Sequence, residues 1–407
     1  MTDLDEAPSV VSLFAGAGGT DVGLERAGWH TTIATDVDAS CLATLRKAQA
    51  ALIPVRGRSG VHHLAGTRLE AADIRDMSAS DLRPAGASSD WRPDLLAGGP
   101  PCQPWSSAGL QKGLNDERGD LIGQFIRLTS ELNPRFVFFE NVRGLVTAIG
   151  HSGRPGEVLE FIKKSFDELG YATVFATLNA ADYGAAQRRV RLYMLASRDH
   201  QLPDFPEPTH GRLKPGSPDT GRIAWVSLGE FLDTLPAIDS IEFVRPTKER
   251  EEELSVLAPG TGIRTNGRVE NNRPSGHWGY RQDSFVADPK LPSRTIRAAS
   301  TPDWITLPDG THRRLTWAEC AALQGFPIEW PFEGTLTTKV RQIGNAVQAD
   351  MAEVLGSALL ASLSLGESSQ PPASRALPDE FSKRVRYTAM EHRVNGSHRV
   401  RVRASVT

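Results

Sequence analysis

Cys102 stands in the run Gly98-Gly99-Pro100-Pro101-Cys102-Gln103-Pro104-Trp105-Ser106, directly after the short apolar segment Asp94-Leu95-Leu96-Ala97. Each proline holds its own φ at about −65° and pushes the preceding residue toward extended backbone, so few conformations are open to this loop. A cysteine that only packs belongs inside a strand or on an apolar helix face. This one follows two glycines and sits between prolines, a setting that aims a nucleophile.

Three further groups could do chemistry beside it. Glu140, followed by Asn141-Val142, closes the apolar run Phe136-Val137-Phe138-Phe139. A carboxyl at the carboxyl end of a buried strand faces the crevice of an open α/β sheet, where loss of water raises its pKa and makes it a proton donor. Taken alone, Glu140 also fits a strand-end acid paired with a base. The run Gln187-Arg188-Arg189-Val190-Arg191 is a basic entry to another strand, and alternation puts Arg189 and Arg191 on one face. By itself it reads equally as a basic surface patch. The turn Phe14-Ala15-Gly16-Ala17-Gly18-Gly19, with Asp36 ending the next strand, suits a ligand that approaches backbone and offers ribose hydroxyls. A dinucleotide fingerprint needs glycine at position 21, where this chain has Asp21. The turn therefore favours a nucleoside without a pyrophosphate, such as S-adenosylmethionine.

The elements that must position these groups alternate. Strands are expected at residues 9–14, Thr31–Thr35, Asp94–Ala97, Phe136–Phe139, Thr173–Leu178 and Arg191–Ala196. Helices are expected at Thr20–Gly28, 38–51, Leu121–Leu132 and Val158–Leu169. This rhythm predicts an α/β fold with a mostly parallel sheet covered on both faces. It breaks after Ala196, where residues 201–222 are rich in proline and glycine, and returns with helices at Thr316–Gln324 and from Asn345 to about Leu365. The pattern predicts one α/β domain interrupted by a second, smaller one.

Composition narrows the class. The chain has 407 residues, 39% hydrophobic and 23% charged, and a net charge of −3, as expected for a globular protein with a substantial core. No uncharged apolar run approaches the roughly 18 residues of a membrane span, and Asp3, Asp5 and Glu6 make an acidic opening unlike a signal peptide. Three cysteines, Cys41, Cys102 and Cys320, are far apart and odd in number. They match neither a disulfide framework nor a zinc site, so no metal and a reducing, cytoplasmic location are expected. His62 and His63 have no partner evident in the sequence and are expected at the surface.

Taken in order, these pieces resemble the cytosine-5 DNA methyltransferase family. The resemblance rests on Phe14 to Gly19, Pro101-Cys102-Gln103, Glu140-Asn141-Val142 and Gln187 to Arg191. It continues through Arg314-Leu315-Thr316, Leu323-Gln324-Gly325-Phe326-Pro327 and Gln342-Ile343-Gly344-Asn345-Ala346-Val347. It spans residues 9 to about 360, except for roughly 200–290. It implies a Rossmann-like S-adenosylmethionine-dependent methyltransferase fold with an inserted target-recognition domain. It also implies a catalytic set in which Cys102 attacks carbon 6 of a flipped-out cytosine, Glu140 protonates N3, Arg191 contacts O2 and Arg189 supports that site. Phe14, Ala15, Gly16, Gly18, Gly19, Asp36, Val37, Asp73, Ile74, Pro100, Asn345 and Ala346 would line the S-adenosylmethionine pocket. Two departures, Trp105 in place of the commoner phenylalanine and Ala185-Ala186 before Gln187, lie outside the reacting atoms.

The resemblance divides the chain into a catalytic domain (1–200), a DNA-reading domain (201–312), a hinge and closing helix (313–365) and a loose basic tail (366–407). Arg264, Asn266, Arg273, Arg281 and Gln282 carry side chains suited to base edges or phosphates. Ser106 opens a stretch to Gly119 expected to fold over DNA. The tail carries Lys383, Arg384, Arg386, Arg393, Arg399, Arg401 and Arg403, suited to salt-sensitive binding of the DNA backbone. The implied partner is double-stranded DNA. A monomer with no membrane contact is expected, either a solitary enzyme or one with a separate cognate restriction endonuclease. The tRNA-methylating branch of the family carries Cys-Phe-Thr in its target region, and no cysteine here is followed by phenylalanine.

Overall fold

The computed structural model describes residues 6–101, 121–150, 152–213, 221–239, 242–263, 269–270, 284–298, 301–369 and 372–390. Eight strands, β1 (Ser9–Leu13), β2 (His30–Asp36), β3 (Arg68–Ala71), β4 (Leu95–Gly98), β5 (Phe136–Val142), β6 (Ala172–Asn179), β7 (Gln187–Arg188) and β8 (Val190–Ser197), alternate with helices in the first half. All except β7 form one sheet of order β3-β2-β1-β4-β5-β8-β6. The first five run parallel, and β8 is antiparallel to both its neighbours. This is the expected mostly parallel α/β sheet.

The strands are near-continuous apolar runs because both faces are covered. Alternate residues enter different cores: Val11, Leu96, Val137 and Phe139 on one side, Val10, Leu95, Phe136 and Phe138 on the other. Helices α3 (Leu121–Leu132) and α4 (Glu157–Glu168) cover the first face. Helix α1 (Gly19–Ala27) covers the second, together with residues 349–364, while α2 (Ala39–Ala50) packs at the β2–β3 edge.

After β8 come α5 (Leu228–Asp233) and α6 (Lys248–Ser255), a hairpin of Trp304–Thr306 with His312–Arg314, and a small core of Leu254, Leu257, Val286 and Trp304. Ser293–Arg294 pairs with β7 and ties this insertion to the catalytic strands. Helix α7 (Trp317–Leu323) begins at a capping box in which Thr316 and Glu319 exchange side-chain-to-backbone bonds.

The expected last helix starts at Ala349, not Asn345, and a helix that the sequence pattern did not predict precedes it. Helix α8 (Leu336–Asn345) ends before an extended Ala346, and α9 (Ala349–Ser364) restarts where the Gln348 side chain accepts from the Met351 N–H. Residues 336–364 are long and apolar enough to pass for a membrane span, but they are broken here, and α9 lies along α1. The approach is close: a Cβ on Gly23 would stand 2.2 Å from the Ala349 carbonyl oxygen.

Two sequence expectations change. His63 is not at the surface; it is 1% exposed, 2.7 Å from the Glu25 carboxylate and edge-on to Trp330. Burial pushes Glu25 up and His63 down. Nor are residues 366–407 loose throughout. Residues 379–390 form a helix, because Phe381, 2% exposed, enters the core beside Phe166 and Phe175.

Candidate active site

Strand register brings the first site residues to one level. Leu13 is opposite both Thr35 and Gly98, and Gly98 is opposite Phe139. The residues that follow each, Phe14, Asp36, Gly99 and Glu140, therefore stand in a row at the carboxyl ends of four neighbouring strands. They line a cavity of about 950 Å³ together with Ala15, Gly16, Val37, Asp73, Ile74, Pro100, Arg189, Arg191, Asn345 and Ala346. Ligands of open α/β sheets bind at this edge, and the volume suits a nucleoside-sized ligand with room for a second ring.

At one end, Asp36 accepts from the Gly16 and Asp38 N–H groups, one at each carboxylate oxygen, both at 2.8 Å. Burial raises its pKa, and those two donors oppose the rise. The fixed carboxylate keeps lone pairs for hydroxyls. Phe14 holds a left-handed φ of 55°, uncommon for an aromatic residue. Val37 is 71% exposed on the cavity wall and offers an apolar face to a flat ring. Asp73 caps a short turn and is bound by Arg75, which holds its pKa below the usual carboxylate value. Gly18 and Gly19 do not line the cavity. A Cβ on Gly18 would meet Leu45 at 2.8 Å, and one on Gly19 would meet the Val347 carbonyl oxygen at 2.3 Å, so their lack of a side chain serves packing.

At the other end, Glu140 is 8% exposed, with Arg191 Nε 3.2 Å from its Oε1. The approach lacks hydrogen-bond alignment, and Oε1 has no hydrogen-bond partner. Burial raises the Glu140 pKa against the opposing pull of Arg191 and then Arg189. The result is a carboxyl shifted toward its neutral form, whose Oε1 faces Arg191 without an aligned hydrogen bond.

Arg189 is 2% exposed and donates to the carbonyls of Ile296, Gly344 and Ala346. Burial lowers its pKa to about 9. It thereby ties the β7–β8 junction to the end of α8 and to the insertion. Gln187 extends the same network, donating to Gln324 Oε1 at 2.7 Å, while Gln324 Nε2 donates to the Ala346 carbonyl at 2.6 Å. Asn141 is a residue to which the sequence reading gave no role. Its Nδ2 donates to the Pro100 carbonyl at 2.8 Å and so ties the loop before Cys102 to the end of β5. Its one sequence signal was its place beside Glu140.

Cys102, Ser106, Arg264, Asn266, Arg273, Arg281 and Gln282 lie outside the described residues, as does the stretch from Ser106 to Gly119. Pro101, immediately before Cys102, lines the cavity. The other two cysteines are poor nucleophiles. Burial pushes Cys41 up to about 12 and raises Cys320 further, so thiolate is scarce at neutral pH.

Comparison with known proteins identifies the family. The chain is 30% identical over 360 residues to the type II methyltransferase M.FnuDI of Fusobacterium nucleatum, covering 85% of this chain and 92% of that one. It is 31% identical over 364 residues to M.Eco47II of Escherichia coli, covering 86% and 78%. The fold matches a prophage-encoded E. coli protein assigned as a DNA modification methyltransferase, at TM-score 0.61 and 21% identity over 88% of this chain and all of that one. It also matches DNMT2 of Spodoptera frugiperda, at TM-score 0.58 and 15% identity over 87% and 100%. The profile of the C-5 cytosine-specific DNA methylases matches residues 9–361. The chain thus belongs to the C-5 cytosine-specific DNA methylases, enzymes that use S-adenosylmethionine to methylate DNA.

Proposed function

We propose that this chain methylates carbon 5 of a flipped-out cytosine within a specific duplex sequence, through a covalent bond between Cys102 and carbon 6. The observation that carries the reading is Glu140: a buried carboxyl with its pKa raised by burial, paired with Arg191 but with no hydrogen bond to Oε1, in the same cavity as Asp36 and Phe14. Phe14, Val37, Asp36 and Asn345 fit a nucleoside methyl donor at one end, and Glu140 with Arg191 fits a pyrimidine at the other.

Carbon 5 of cytosine is too weak a nucleophile to take a methyl group unaided. S-adenosylmethionine supplies an electrophilic methyl group when bound. The Cys102 thiolate adds to carbon 6, the Glu140 carboxyl gives its proton to N3, and the displaced electron pair makes carbon 5 an enamine carbon able to accept the methyl. Arg191 holds O2 and, with Arg189, supplies positive charge that raises the thiolate fraction. After transfer, a base removes the carbon 5 proton, the carbon–sulfur bond breaks, Cys102 leaves as thiolate and the N3 proton returns to Glu140. A stacked base is out of reach of these groups, so flipping at a cost of a few kcal/mol precedes the chemistry.

Residues 201–312 serve as the DNA-reading part, with Arg264, Asn266, Arg273, Arg281 and Gln282 as its candidate contacts. The reading makes it a cytoplasmic monomer, and the type II names of its bacterial relatives support a role as the modifying half of a restriction system with a separate endonuclease. The test is transfer of tritium from labelled S-adenosylmethionine to duplex DNA or to tRNA, followed by mapping of the labelled base. Label on carbon 5 of cytosine at one DNA sequence is expected. Label in tRNA alone, or none, overturns the reading.

A further inference from the structure

The family match stops at residue 361, yet the chain goes on packing. Residues 372–390 run along the edge strand β6. The Arg375 N–H donates to the Thr173 carbonyl at 2.9 Å, Ser374 Oγ accepts from the Thr173 N–H at 3.0 Å, and Thr177 Oγ1 donates to Glu380 at 2.7 Å. Phe381 then anchors helix 379–390 in the catalytic core. The helix is seated beside the end of β5. Val385 lies against Gly156, where a Cβ would come within 2.8 Å of it, and Thr388 forms part of the cavity wall.

Thr388 and Gly144 line one cavity, so Arg384, one turn before Thr388 on the same helix face, and Arg143, the exposed residue between Val142 and Gly144, are brought to the same side of it. Partial burial first, and then Arg384, hold Arg143 below its ordinary pKa. Among the described residues neither guanidinium has a carboxylate partner; many other arginines here do, such as Arg154 with Glu160 and Arg313 with Glu319. Lys383 and Arg386 add charge on the same exposed helix. Two like charges held together near a cavity wall, on segments far apart in sequence, are stabilised by an anion between them.

We propose that helix 379–390 is a second DNA-backbone contact, in which Arg384 and Arg143 together hold a phosphate of the strand that carries the target cytosine. The proposal rests on DNA being the substrate. It goes beyond a loose basic arm, because it assigns the contact to a packed helix and to one residue pair.

The experiment measures binding of a fluorescent mixed-sequence duplex to the full chain at rising KCl. Removing one phosphate contact should lower the steepness of log K against log salt by about 0.9. Arg384→Ala should show this change and Arg384→Glu a larger one, with thermal midpoint and affinity for S-adenosylhomocysteine unaltered. Lys164→Ala removes the same net charge from a residue already paired with Glu168 and should leave the slope alone. An unchanged slope for Arg384→Ala, or an equal change for Lys164→Ala, overturns the contact. If the wild-type chain methylates duplex DNA and Arg384→Ala has no effect, the contact alone fails. A wild-type chain that does not bind duplex DNA removes the contact and the function beneath it together.

Discussion

Glu140 shows how one side chain takes its chemistry from its surroundings. Its burial favours the neutral acid, whereas Arg191 and Arg189 favour the carboxylate; burial wins. The proton donor therefore persists to higher pH than an exposed glutamate would, and methyl transfer should decline on the alkaline side as Glu140 ionises. Glu140→Gln keeps the shape and loses the proton. Single-turnover tritium transfer should fall by about 10²–10⁴, with S-adenosylhomocysteine affinity retained and the Glu140-dependent alkaline decline gone. A loss below tenfold would remove Glu140 from the proton-donor role. Cys102→Ser should abolish both transfer and the covalent complex with DNA carrying 5-fluorocytosine, read as a gel-stable band. Trapping that survives would assign the nucleophile elsewhere, although the raised pKa values of Cys41 and Cys320 leave no ready substitute.

At the scale of elements, the site depends on segments distant in sequence being held at backbone contact. Gly344, near the end of α8, is one such case. A Cβ there would stand 2.3 Å from the Ala298 nitrogen and 2.4 Å from the Arg297 carbonyl carbon. Within a helix, alanine in place of glycine ordinarily gains about 0.5–1 kcal/mol. Here the clash is with backbone, which no rotamer change relieves, and overpacking of about 1–3 kcal/mol should win. Gly344→Ala should lower the thermal midpoint and weaken S-adenosylhomocysteine binding through the adjacent Asn345, as scanning fluorimetry and titration calorimetry would show. An unchanged midpoint would mean that α8 is free to move from residues 297–298. Arg189, bonded to three carbonyls across the same junction, explains why its position calls for a fixed, many-donor side chain and not a lysine.

At the scale of the molecule, buried acid couples stability to pH. Burial, helped by nearby Glu25, lifts Asp21 in α1 from 3.8 to about 7. A folded value above the unfolded one makes its contribution complete below about pH 4 and progressively lost as pH rises through 7. Asp21→Asn should flatten urea stability across that window, by at most about 1.4 kcal/mol per pH unit. An equally steep curve in the variant would place the sensitivity at Glu25 instead.

The division between sequence and structure follows from the range of the forces involved. Strand and helix alternation, the α/β class and the short motifs were legible because they are local: apolar runs, glycine turns and proline loops leave their mark within about ten residues. The same locality explains the errors. Helix α8 escapes the sequence pattern because its short buried face, Val340, Ile343 and Gly344, packs on residues 297–298, which nothing local announces, and His63 lacks any neighbour in sequence that reveals Glu25 or Trp330. Tertiary structure alone decided which motifs meet. It set Phe14, Asp36, Gly99 and Glu140 at one level by strand register, joined Gln187 to Gln324 and Arg189 to Ala346, and brought Thr388 to the cavity wall. Those contacts are made by burial and hydrogen bonding between segments up to hundreds of residues apart. Their energy depends on the packed whole, so local residue types name the candidates and only the fold assembles them.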